Sequence, residues 1–169
     1  VSDAAVRSAL QTFFQGAGIA GLTKVYPDYP WFIDGATWQF SGSTSSWGVV
    51  AYIHLDTGQD QRLSVEWNGP RFRHHVVSLV LMYQFLIPDQ IPAGQDESMW
   101  VAPLDALMDG CMTAIRSAPT LNDPNVVFQS AQNLTDINTE RELPTQNNGV
   151  INSWNRIEFH VDEVIQGQA

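Results

Sequence analysis

At 169 residues the chain has the length of one ordinary domain, and about 70% of its unfolded surface can be buried without disulfide or metal staples. Hydrophobic residues make up 44% of it and charged residues 15%, which excludes an intrinsically disordered chain. Eighteen acids against eight Lys and Arg give a net charge of −10, which works against attraction to nucleic-acid phosphate, and no basic cluster offsets it.

The opening VSDAAVRSALQTFF lacks the basic start and apolar run of a secretory leader. The longest apolar stretch, Val76 to Ile87, is too short to span a bilayer and is interrupted by Ser78 and Gln84. A soluble intracellular protein is expected, in keeping with a single cysteine, Cys111, that permits no internal disulfide. Residues 3–15 read as a helix: Ser2 or Asp3 can cap it, and Val6, Leu10, Phe13 and Phe14 share one stripe. Gly16, Gly18 and Gly21 then end it. GAGIAG at 16–21 has the glycine spacing of a dinucleotide fingerprint, but it follows a helix instead of a strand, so a helix C-cap with a flexible exit fits better. Pro27 and Pro30 exclude helix from the turn-rich run that follows, and the Ser, Gly and Thr of 41–48 predict a mobile loop.

Val49 to Leu55 alternates as a strand. Asp56-Thr57-Gly58 predicts a turn, and Gln61 to Trp67 a hairpin return with Leu63, Val65 and Trp67 on its apolar face. Arg71 to Ile87 is the longest β-like segment, and its second half, VVSLVLMYQFL, is apolar on nearly both faces, as in a central strand. Pro88 and Pro92 open a polar loop over 88–98 with an acidic Gln95-Asp96-Glu97 tip. Residues 101–117 form the clearest helix, with Leu104, Leu107, Met108, Cys111, Met112 and Ile115 at helical spacing, so Cys111 is expected as a buried, inert thiol. A short strand is expected over Val126 to Phe128, then a polar, irregular run over 130–149 that ends in the tight-turn signal Asn147-Asn148-Gly149. NRIEFHVDEVI, residues 155–165, is the last strand, with Ile157, Phe159 and Val161 on the core side. No repeat or composition break divides the chain. The class is α+β: one domain over 1–169, with a central antiparallel or mixed β-sheet packed with two main helices on one or both faces.

The polar side of the last strand, Arg156, Glu158, His160 and Asp162, has the look of a catalytic or metal-binding ledge. Alternate strand residues share a face, so His160 and Asp162 could reach one ion, with His54, His74 or His75 supplied by other strands. The spacing matches no HExxH, CxxC or EF-hand pattern, and imidazoles on a half-exposed sheet face more often form ordinary hydrogen bonds. No acidic pair is selected for general acid–base work, no G-x-S-x-G stands between strand and helix, and no P-loop is present in the sequence. Six tryptophans stand out, and Trp31, Trp38 and Trp47 fall in extended or loop segments, as loop anchors or as intersubunit contacts.

The order of elements carries a resemblance. An amphipathic helix runs into GLTKVYPDYP, the helix PLDALMDGCMTAIRSA is followed by PTLNDPNVVFQSAQN, and the chain finishes on SWNRIEFHVDEVI. Over most of its length this layout resembles the tail terminator (tail completion) proteins of long, non-contractile-tailed bacteriophages. The resemblance implies a structural virion protein without enzymatic chemistry, metal or cofactor. It would form a homo-hexameric ring at the tail neck, assembled in the host cytoplasm, and contact the tail tube protein on one side and the head-closure or connector protein on the other. Genome DNA would pass through without specific binding, which agrees with the acidic charge. The loops at 41–48 and 88–98 find no counterpart, so no contact residue carries over. From the residues themselves the interface candidates are Trp31, Trp38, Trp47, Asp96, Glu97, Arg156, Glu158, His160 and Asp162. Two alternatives remain open: another neck component such as a head-closure protein, and a small-molecule-binding or hydrolytic domain resembling the nuclear-transport-factor-2-like cone, with His160 or Asp162 pointing into an enclosed pocket.

Overall fold

Residues 3–22, 24–32, 39–40, 47–62, 71–96, 98–118, 121, 126–128 and 137–165 are described by a computed structural model. In chain order the elements are helix α1 (Asp3–Gly16), strands β1 (Val25–Tyr26), β2 (Gln39–Phe40), β3 (Trp47–Arg62) and β4 (Arg71–Leu86), helix α2 (Val101–Ser117), and strands β5 (Val126–Phe128), β6 (Asn138–Arg141), β7 (Thr145–Asn147) and β8 (Val150–Ile165). Three antiparallel strands of 16 residues, β3, β4 and β8, form the body of one sheet with β4 in the middle. Short strands line its two sides. β1 (parallel) and β2 (antiparallel) pair with the free side of β3, while β5, β6 and β7 pair with that of β8. The parallel β1 makes the sheet mixed, and the class is α+β.

Both helices bury their apolar stripes on the same face of the sheet. Val6, Leu10 and Phe14 of α1 and Leu104, Leu107, Met108, Cys111 and Ile115 of α2 join Ala51, Ile53, Val77, Leu79, Leu81, Ile157, Phe159 and Val161 in one core. Each fully buried aliphatic or Phe side chain of this set contributes about 1.5–3 kcal/mol. The Phe14 and Phe159 rings meet edge to face at 5.9 Å, tying the first element to the last. Polar contacts fix the helix positions. The Gln11 amide donates to the Val25 carbonyl at 2.8 Å, and the Tyr83 hydroxyl donates to the Trp100 carbonyl at 2.8 Å, holding the start of α2 against β4. The opposite face carries no helix among the described residues, only a small apolar cluster of Val50, Tyr52 and Met82 with Tyr26 and Val80 against it. Among the described residues no helix is long and apolar enough to cross a membrane.

Both helices, the central strand, the Val126–Phe128 strand and the final strand lie where periodicity puts them. Three features differ. Asp56-Thr57-Gly58 is not a turn: β3 runs straight through it, and Asp56 is the extra residue of a β-bulge between the Leu55–Val77 and Thr57–Val76 pairs. The partner of β3 is therefore β4, with Gln61 and Arg62 as the last residues of β3; residues 63–70 of the expected return lie outside the described part. Trp47 and Gly48 begin β3 and do not belong to a loop, while 41–46 lie outside the described part. Thirdly, the run expected to be irregular holds β6 and β7, interrupted at 142–144, and the chain reverses at Asn148-Gly149 with φ of 48° and 76°, both left-handed as a tight hairpin requires.

Candidate functional site

The register between β4 and β8 decides which polar residues meet. His74 pairs with Asp162, Val76 with His160, Ser78 with Glu158 and Val80 with Arg156, all on the helix-free face. The row Arg156, Glu158, His160 and Asp162 is thus half-buried on the side of the sheet away from the main core. Two groups of contacts form there.

At the lower end, His74 Nδ1 lies 2.8 Å from Asp162 Oδ1, and His74 Nε2 lies 3.0 Å from His160 Nδ1, with the imidazoles stacked at 5.1 Å. An ionised Asp162 only accepts, so His74 Nδ1 carries a hydrogen, and one proton lies on the line between the two imidazoles. Both nitrogens of His74 are committed to neighbours. Among the described residues no group of three or more His, Cys, Asp or Glu has the geometry to hold a metal ion. On the other face His75 Nε2 lies 3.0 Å from Glu163 Oε2, a pair wholly inside the protein, apart from the helix-free-face histidines.

Higher on the same face lies a cleft of about 530 Å³, lined by Tyr29, Tyr52, His54, Asp56, Ser78 and Val80 on one side and by Glu140, Glu142, Trp154, Asn155 and Arg156 on the other. The β3 bulge turns Asp56 toward it. The Ser78 hydroxyl donates to Asp56 Oδ2 at 2.5 Å, and His54 Nε2 lies 3.6 Å from Asp56 Oδ1. Here the carboxylate sits between serine and histidine, whereas an activated serine needs the imidazole in the middle. Asp56 therefore accepts from Ser78 directly, with His54 at its other oxygen. Across the cleft Arg156 Nη2 lies 2.7 Å from Glu140 Oε2 and 4.0 Å from Glu158 Oε2, and Asn138 Nδ2 donates to Glu158 Oε1 at 3.4 Å. Burial raises the Tyr52 phenol above its ordinary value, with Tyr29, Asp28 and Glu142 adding to the rise. The floor of the cleft is thus aromatic, with the carboxylates of Asp56, Glu140 and Glu142 around it.

The remaining candidates are scattered. Trp31 is 94% exposed, with Phe32 beside it at a ring distance of 6.0 Å. Trp47 instead packs on the core beside Tyr83 at 5.8 Å and covers Gly21, whose φ of 84° and lack of a Cβ leave room for the indole; a Cβ there would collide with it. Trp47 thus packs from the start of β3, and its indole accounts for the last glycine of GAGIAG. Asp96 accepts from the Ser98 amide at 2.9 Å and from its hydroxyl at 2.7 Å, bonds that hold its carboxyl below the usual range. It shapes the turn before α2. Trp38 and Glu97 lie outside the described residues. Sequence reasoning missed Tyr29, Tyr52, Asp56 and Glu142, because nothing in their spacing shows that they converge. No model of a known protein family and no curated protein matches the chain.

Proposed function

We propose that this chain is a structural ring subunit of a phage neck, capping the tail tube, ending its polymerisation and joining it to the head connector. The observation that carries the reading is the placement of exposed apolar side chains on segments from the two sides of the sheet. Trp31 and Phe32 follow β1, which pairs with the free side of β3, and Leu143, 90% exposed, interrupts the β6–β7 strand on the free side of β8. Two different sticky surfaces suit head-to-tail contacts, which close into rings. The resemblance of the element order to tail terminators and the net charge of −10, suited to a channel that DNA must traverse without adhering, support the same reading. A head-closure protein would share these features and differ in its partners. The cone-like alternative is favoured less: the space between helices and sheet is filled by Phe14, Phe159 and their neighbours, and His160 and Asp162 stand on the other face. Adding the protein to tail tube protein polymerising in solution tests the reading. Tubes that stop growing once the chain is added, with the chain at one end, are expected; unchanged elongation would sink it.

A further inference from the structure

From the cleft on the helix-free face we infer a binding site for an organic cation, a guanidinium or alkylammonium group held against tyrosine and tryptophan rings. Tyr29 and Tyr52 stand at right angles, 89° between planes and 5.4 Å between centroids, and Trp154 lines the same space. Electron-rich ring faces attract cations, and three aromatic side chains border this one cleft. Trp154 is 40% exposed, so this wall meets solvent and a ligand can reach it.

Charge selects the sign of the ligand. Asp56, Glu140 and Glu142 line the cleft against one arginine, Arg156, whose guanidinium is already held by Glu140 and Glu158. Asp56 is occupied by Ser78 and His54. Glu142 has no ion pair among the described residues, and it stands close enough to Tyr52 to help raise that phenol. An anion would meet this carboxylate and the ring faces, whereas a cation is attracted by both. The same chemistry already operates next door: the Lys24 ammonium lies 4.7 Å from the ring centre of Tyr26, which pairs with Tyr52 in the register of β1 and β3. At about 530 Å³ the cleft exceeds what one side-chain head group fills, so room remains for the aliphatic stem or for a short stretch of backbone. This site does not depend on the chain being a neck subunit.

Amide NMR titrations of the full chain provide the test, with agmatine, acetyl-Gly-Arg-Gly-amide, and the same peptide bearing the neutral citrulline in place of arginine. Saturable shifts at Tyr29, Tyr52, Glu142 and Trp154 are expected with both cationic probes and not with the citrulline peptide. Tighter binding of the arginine peptide than of agmatine assigns the cation to a protein partner; equal or weaker binding assigns it to a free small molecule. Trp154→Leu and Glu142→Gln should each weaken binding about fivefold or more, through the ring and the charge separately. Glu142→Gln changes an exposed side chain on an edge segment and keeps the test open if Trp154→Leu misfolds. Absence of saturable shifts, equal binding of the citrulline peptide, or unchanged affinity in the Glu142 variant overturns the assignment.

Discussion

Single residues show where polar groups cost stability and where they do not. His75 and Glu163 form a pair at 1% and 0% exposure, and Glu163 Oε1 has no hydrogen-bond partner among the described residues. Removing one member of a buried pair strands the other, at about 3–5 kcal/mol. His75→Ala should lower the urea midpoint by that equivalent, and a loss below about 1 kcal/mol would mean that the pair contributes little. Cys111 illustrates a different cost. Burial pushes its thiol up to about 12 from an ordinary 9.0, and burial raises the Tyr83 phenol as well. Both are neutral acids that ionise more readily when unfolded, so their contribution is constant below the unfolded value and falls as pH rises above it. Between pH 9.0 and about 12 the wild-type chain should lose about 1.4 kcal/mol per pH unit more than Cys111→Ala does. Parallel stability curves for the two would contradict this. The burial of Cys111 was legible from its place on an apolar helical stripe; that of His75 was not, since its strand is apolar on both faces and alternation there does not say which one the helices cover.

Elements declare themselves in the sequence when one face is dry. Both helices and the last strand are legible because their apolar residues repeat at 3.6 or 2. β6 and β7 escape detection for the opposite reason: all their residues are exposed, so no periodicity marks them. The Asp56-Thr57-Gly58 signal misleads because a bulge uses the same residue types as a turn, and here it serves to aim Asp56 at Ser78. Glycine geometry gives an internal comparison. Gly149, at φ 76°, has nothing within 4 Å of the place a Cβ would take, so Gly149→Ala should cost only the backbone term of about 1–2 kcal/mol. Gly21 has a similar φ of 84° and adds a collision with the Trp47 ring, so Gly21→Ala should cost clearly more and alter the near-ultraviolet dichroism of Trp47. Equal losses at the two positions, measured by urea unfolding, would show that Trp47 does not need that glycine.

At the scale of the whole molecule, the sheet keeps its helices on one face, places a negatively charged aromatic cleft on the other, and carries exposed apolar residues on segments from both sides. The class was legible because two helical stripes and several strands could only pack as layers. The cleft was not, because Tyr29, Tyr52, Glu142 and Trp154 come from distant parts of the chain and meet only once the register is set. If head-to-tail contacts close a ring, Trp31→Ala and Leu143→Lys should each reduce oligomer formation in native mass spectra, with monomer stability within about 0.5 kcal/mol of wild type because both sites are solvent-exposed. Wild-type oligomer levels in both variants would place the contacts elsewhere. The proposed neck role meets its sharpest test in electron microscopy of particles assembled without this chain. Loss of a terminating neck subunit should give tails of abnormal and variable length that fail to join heads. Tails of normal, uniform length attached to filled heads would contradict it.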